Sequence, residues 1–182
     1  MGKLVISENV TLDLVVQDPT GEEGFAAGGW GTRLSAADQS AFAAFYAAEA
    51  ASASALLLGR RTYEWFASRW VPRTGEWAER LATMPKFVVS SKLTDLPWPN
   101  TTVIGLDEVP SLKDRVDGDI VVNASGRLVS TLFGSGWADT LRLLVFPYVL
   151  GTGDRLPAPD ALRLVENRTV GEALVALTYA MR

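Results

Sequence analysis

The chain has 182 residues, 48% hydrophobic and 21% charged, with 17 Lys and Arg against 21 Asp and Glu, a formal net charge of −4, and neither Cys nor His. These proportions describe one soluble globular domain, long enough to bury a core without a disulfide or metal staple. They exclude Cys/His zinc sites, iron–sulfur clusters, thiol nucleophiles and imidazole acids or bases, and the dispersed basic residues give no footprint for nucleic acid or an anionic membrane.

In chain order, residues 1–7 lack the apolar core and cleavage site of a signal peptide, and strands are predicted at residues 3–6 and 11–17. Residues 18–31, rich in Gly and charge, read as a loop. A helix starts at Ser35, which with Asp38 resembles a capping box, and runs to about residue 54. Its Phe42, Phe45, Tyr46 and Glu49 recur at helical spacing and read as a core-packing stripe. Further strands are expected at 55–58, 86–90, 102–104, 119–123, 141–147 and 173–179, with 162–166 also a candidate. Helices should follow Gly59, Gly75 and Gly126. Residues 67–75 read as a second loop, and it and the first carry Trp70 and Trp30 as lids, subunit contacts or covers over the core edge.

Short apolar runs alternating with helices imply βαβ units and a largely parallel sheet, in which the wholly apolar runs 55–58 and 120–122 should lie centrally. After Trp137 strands follow one another without helices, an antiparallel edge. The most apolar stretch, 141–150, is too short to span a bilayer, so a cytoplasmic location and no membrane partner are expected.

Three strand ends carry groups suited to a phosphate-rich ligand. Gly59, Arg60, Arg61 and Thr62 lead from a buried strand into a helix, where free N–H groups and guanidinium groups suit a diphosphate, the alternative being that the Arg pair is ordinary surface charge. Ser90, Ser91 and Lys92 end the next strand with two hydroxyls and an ammonium, a set for a 2′-phosphate or simply a polar turn. Asn123, Ala124, Ser125, Gly126, Arg127 and Leu128 again run from strand through small residues into a helix, letting a ligand approach the backbone. All three fall at carboxyl ends of strands, the edge where open α/β sheets bind ligands.

At these residues the sequence resembles the dihydrofolate reductase-like superfamily, and within it the reductase domain of bacterial riboflavin biosynthesis and its stand-alone relatives. The resemblance rests on Leu57 to Glu64, Lys86 to Ser91, Gly118 to Leu128, and Pro147-Tyr-Val-Leu-Gly-Thr-Gly153, and it covers nearly the whole chain as a single domain. It implies a three-layer α/β fold with a mostly parallel sheet and an antiparallel C-terminal hairpin. It further implies NADPH along the three strand ends, a homodimer, and hydride transfer to a C=N or C=O bond of a pterin, a pyrimidine or a ribosylaminopyrimidine. The sequence departs from the family pattern at Leu14 and Ala124, where relatives usually carry glycine, at Asp139-Thr140, where an acidic pair is common, and at Pro157, where an aromatic is common.

With no His present, Asp13 is the candidate to hydrogen-bond substrate or relay a proton, its pKa raised in an apolar pocket; the alternative is a turn cap or an Arg partner. Trp30, Tyr46 and Tyr63 are candidates to stack on a planar substrate, with core packing as the alternative, and Glu49 is the acidic candidate on the long helix. No metal is expected. Two other functions fit the same residues: a non-catalytic NADPH-binding or sensing protein, and a structural dimer with a degenerate nucleotide site.

Overall fold

Runs of Val, Ile and Leu at alternating or continuous burial form eight strands: β1 (Lys3–Thr11), β2 (Ala53–Gly59), β3 (Lys86–Val89), β4 (Thr101–Ile104), β5 (Asp119–Asn123), β6 (Thr140–Phe146), β7 (Leu162–Val170) and β8 (Leu174–Met181). Between them lie α1 (Ala36–Ser52), α2 (Arg60–Trp70), α3 (Glu76–Thr83), α4 (Leu112–Arg115) and α5 (Gly126–Gly134). The computed structural model describes residues 1–157 and 161–182. The strands make one sheet in the order β4-β3-β2-β5-β1-β6-β8-β7. β4, β3, β2 and β5 pair in parallel, whereas β6, β8 and β7 pair antiparallel. This is the mostly parallel α/β fold with an antiparallel C-terminal hairpin that the element pattern implies, and β2 and β5 are interior strands as expected.

The chain divides into two compact units, Met1–Ile6 with Ala47–Asp139 and Ser7–Tyr46 with Thr140–Arg182. In the first, Leu56 and Leu58 of β2 pack with Val88, Val121, Met84 and Trp98 beneath Tyr63 and Ala67 of α2 and Leu81 of α3. Each fully buried Leu or Val of that core contributes roughly 1.5–3 kcal/mol. Lys86 is buried at the start of β3, where Nζ donates to the carbonyls of Leu81 (2.7 Å) and Met84 (2.7 Å) and lies over the Trp98 ring. Burial pulls its pKa down to about 8, while the carbonyls it caps favour the charged form.

In the second unit, Trp30, Leu144, Phe146, Val170, Leu174 and Ala176 form the core, with Phe42, Phe45 and Tyr46 of α1 against it. The helical stripe is therefore a packing stripe. Ser35 caps α1, its Oγ accepting from the Asp38 N–H and donating to the Asp38 carboxylate. The same carboxylate accepts the N–H groups of Glu172 and Ala173, tying the β7–β8 turn to the start of α1.

Three expectations are corrected. Residues 11–17 are no strand: β1 runs unbroken to Thr11, the chain turns at Asp13 and Leu14, and Val15 makes only an isolated bridge to Arg155. The first four residues of the loop at 67–75 belong to α2. The candidate strand at 162–166 continues to Val170. Among the described residues no helix is long and apolar enough to cross a membrane, and no cluster of acidic side chains could hold a metal ion.

Candidate nucleotide site and separate carboxyls

The parallel register sets Gly59 of β2 beside Val89 of β3, and Leu56 of β2 beside Val121 of β5. The three ligand-suited segments thus leave the carboxyl ends of three adjacent parallel strands, all within the first unit. Gly59 and Ser125 stand immediately before α2 and α5, and the two helix starts are joined: the Gly59 N–H donates to Ser125 Oγ at 3.0 Å, and Ser125 Oγ donates to the Asn123 carbonyl at 3.2 Å. Neither helix has a side-chain cap. Their first-turn N–H groups therefore lack side-chain partners among the described residues, and each helix start carries roughly half a positive charge.

Space above this pair of helix starts is open. A Cβ built on Gly126 would meet nothing within 4 Å, and one on Gly59 would only touch Ser125 Oγ at 3.6 Å. Arg61, Lys92 and Arg127 are exposed and make no ion pair among the described residues, whereas Arg60 is held by Glu64 at 2.9 Å. Ser90 Oγ accepts the N–H groups of Lys92 and Leu93, so it closes a polar turn. Ser91 and the Lys92 ammonium stay exposed beside it. Thr62 sits half-buried in the first turn of α2, and Leu128 is buried in that of α5.

The backbone at Leu14 and Ala124, two of the departures from the family pattern, keeps the conformation of a glycine. Ala124 and Ser125 have φ of 49° and 67°, and Leu14 has 63°. In this left-handed region an L side chain is strained by roughly 1–2 kcal/mol. The Ala124 methyl and much of Leu14 point to solvent, Leu14 being 43% exposed.

Asp13 lies in the second unit and is a clasp. Its carboxylate accepts Thr11 Oγ1 at 2.7 Å, the Gly151 N–H at 2.8 Å and the Leu150 N–H at 3.2 Å, with the Arg155 guanidinium at 3.5 Å. The Thr11 hydroxyl, with the backbone N–H groups of Gly151 and Leu150, holds its pKa down to about 2. The expected proton relay with a raised pKa gives way to an ionised side chain whose acceptor positions the chain itself occupies, the turn-cap and Arg-partner alternative. Gly153, at φ 109°, lies against Phe25 and Val15, where a Cβ has no room.

The stacking candidates divide. Trp30 is fully buried, edge-on to Phe146, its Nε1–H donating to the Gln17 carbonyl; Tyr63 is 1% exposed, its hydroxyl accepting the Trp98 N–H. Neither has a ring face open to a ligand, so both are core residues. Tyr46 is half-buried and donates to Asn9 Oδ1 at 2.9 Å, and Glu49 is buried on α1.

One carboxyl escaped the sequence reading. Glu8 lies within β1, 7% exposed, and desolvation pushes its pKa up to about 8. It is protonated at neutral pH, the state a proton donor needs. The polar triplet Ser7-Glu8-Asn9 reads as a break between strands; an acid flanked by Ile6 and Val10 at period two was the available signal.

Paired, uncapped helix starts at the carboxyl edge of an α/β sheet suit an anionic group such as a phosphate. The chain matches the RibD C-terminal domain family over residues 3–176, and it belongs to that family. Among curated proteins none matches it. Of solved structures, a putative riboflavin biosynthesis protein from Shewanella sp. PV-4 is similar at 15% identity and TM-score 0.67, covering 99% of both chains. A dihydrofolate reductase from Enterococcus faecalis, complexed with NADP(H) and RAB-propyl, is similar at 16% identity and TM-score 0.64, covering 98% of this chain and 95% of the other. Both likenesses agree with the dihydrofolate reductase-like fold.

Proposed function

We propose that the chain is an NADPH-dependent reductase acting on a C=N or C=O bond of a pterin-, pyrimidine- or ribosylaminopyrimidine-like substrate, of the kind reduced in riboflavin biosynthesis as 5-amino-6-(5-phosphoribosylamino)uracil. The observation that carries the reading is the joined pair of uncapped helix starts with open space over Gly126. Family membership supports it.

When bound, the cofactor supplies the hydride. The chain's part is binding and orientation. The first-turn N–H groups of α2 and α5 would donate to the diphosphate oxygens, assisted by Arg61 and Arg127, with Thr62, Asn123 and Leu128 beside them. Ser91 and Lys92 would hold the 2′-phosphate at the turn that Ser90 closes, and Arg60 would stand with Arg61 at the diphosphate. Asp13 is a positioning residue that fixes the Leu150–Gly151 turn. Tyr46 and Glu49 remain the substrate-contact candidates.

A second reading, NADPH binding without turnover, is favoured by one observation: Asp13 is ionised and already fully engaged. NADPH oxidation by a panel of dihydropterins, folates and ribosylaminopyrimidines separates the two. Turnover above the buffer rate establishes the reductase; tight NADPH binding with no turnover on any member selects the binding protein. Reversal of Arg60 and Arg61 to Glu with no loss of nucleotide affinity would select the structural dimer instead.

A further inference from the structure

Tyr63, Ala67 and Val71 recur every fourth residue along α2 and its C-cap, and with Leu93 and Pro97 of the segment after β3 they line a cleft of about 400 Å³. The size lies in the range of small-molecule sites, about 300–1,000 Å³. Both walls are held in place. Ser90 Oγ accepts the Leu93 N–H at 3.0 Å, and the Tyr63 hydroxyl accepts the Trp98 N–H at 3.2 Å, so the segment is tied to the end of β3 on one side and to α2 on the other. Tyr63 and Ala67 are buried and join the core beneath, whereas Val71 is 44% exposed and Leu93 half-buried. All of these residues lie within the first unit.

The charges at the cleft are of one sign. Its charged lining residues are Glu64 and Asp95, and Ser68 and Pro72 complete the lining without adding a cation. Asp95 is exposed, and its carboxylate has no hydrogen bond or ion pair among the described residues. Glu64 serves two places at once: it lines the cleft, and its two oxygens accept Arg60 Nη1 at 2.9 and 3.1 Å. Arg60 opens α2 at the candidate nucleotide site, so this one carboxylate stands between that site and the cleft. Apolar walls beside two carboxylates, with no guanidinium or ammonium among the lining residues, match an apolar body that carries a positive charge and disfavour an anion.

We infer that the cleft is a binding site for a small organic amine, with the apolar part of the ligand against Val71, Leu93 and Pro97 and its ammonium at Asp95 and Glu64. An ammonium at Glu64 competes with Arg60 for the carboxylate and releases Arg60 toward the diphosphate, so amine and nucleotide bind with positive linkage. The linkage rests on the proposed nucleotide site; the amine site does not. The Arg60 and Glu64 side chains are each 46% exposed, so the linkage is small, about two- to fivefold in affinity.

The test is a titration of the isotope-labelled full chain with phenylbutylamine, followed by its amide resonances, beside phenylbutanol and phenylbutyrate, which keep the apolar body and change the charge. Shifts should concentrate at residues 63–72 and 93–97, and the amine should bind at least about fivefold more tightly than the alcohol, with no binding of the acid. Asp95→Asn, and Val71→Lys, which sets an ammonium at the cleft, should each weaken the amine about three- to tenfold at unchanged Tm. Seated amine should tighten NADPH about two- to fivefold; in Glu64→Gln, where Arg60 is already released, NADPH should bind more tightly from the outset and be indifferent to the amine. No shifts at the cleft with millimolar amine, equal affinity for the alcohol, or an amine indifferent to both Asp95→Asn and Val71→Lys would overturn the site. NADPH affinity unmoved by seated amine would overturn the linkage, and absence of NADPH binding with the amine seated would overturn the nucleotide reading while the amine site stands.

Discussion

Replacing Ala124 by glycine should stabilise the protein. At φ 49° the Ala124 Cβ crowds the following carbonyl, a strain of about 1–2 kcal/mol. Glycine relieves it but loses more backbone freedom on folding, by about 0.4–1 kcal/mol. The methyl is exposed, so its removal costs no packing. The difference leaves Ala124→Gly more stable by roughly 0.5–1 kcal/mol, or about 1–4 °C in Tm for a chain of this length. Leu14→Gly should act in the same direction and by less, because half of that side chain is covered. Gly171→Ala supplies the opposite sign: at φ 66° its Cβ would strike the Asp38 carboxylate that binds the β7–β8 turn. Urea and thermal unfolding of the three variants give the answer. A lower Tm for Ala124→Gly together with a harmless Gly171→Ala would refute the assignment of strain to these positions.

Three further outcomes are expected. Gly59→Ala should fold normally, since its Cβ only touches Ser125 Oγ, yet lose nucleotide affinity; titration of the folded variant checks this. Asp13 has a folded pKa lowered from 3.8 to about 2, so its stabilising contribution is present above the unfolded value and is lost as pH falls through the folded one; Asp13→Asn should flatten acid unfolding in that window. Glu8 behaves oppositely. With its folded pKa raised from 4.5 to about 8, stability should fall as pH rises between those values, by at most about 1.4 kcal/mol per pH unit, and urea midpoints of Glu8→Gln should lose that slope.

Much of the fold could be read because local and tertiary preferences agree. Gly59 and Gly75 each precede a helix and Gly126 opens one, and the continuous apolar runs of β2 and β5 mark interior strands. The reading broke where tertiary surroundings override local polarity. Ser7-Glu8-Asn9 look like a loop, but Asn9 is satisfied by Tyr46 and Glu8 by staying protonated, so β1 continues through them. Val15 and Val16 look like strand, but Thr11 Oγ1 accepts the Val15 N–H and closes a turn first. The strand candidate at 162–166 stops short of the polar Asn167, Arg168 and Thr169, but on an edge strand their side chains reach solvent or a ring face.

The site divides the same way. The three phosphate-suited segments were legible because glycines and basic residues at helix starts carry their chemistry locally. The state of Asp13 was not, because three of its partners, Leu150, Gly151 and Arg155, lie more than 130 residues away. Burial of Trp30 and Tyr63 was likewise settled by distant strands and helices rather than by spacing.

The central claim, a dinucleotide held at the paired starts of α2 and α5, is tested most directly by calorimetric titration of the unchanged chain and of Gly126→Ala with NADPH and NADH at fixed salt. A Cβ at Gly126 meets nothing within 4 Å beyond its own helix backbone, so the variant should keep its fold while adding a methyl at the start of α5. The account predicts tight NADPH binding, NADH weaker by tenfold or more, about 1.4 kcal/mol, and clear loss of NADPH affinity in Gly126→Ala at unchanged Tm. No binding of either nucleotide, or NADPH affinity indifferent to the added methyl, would contradict it.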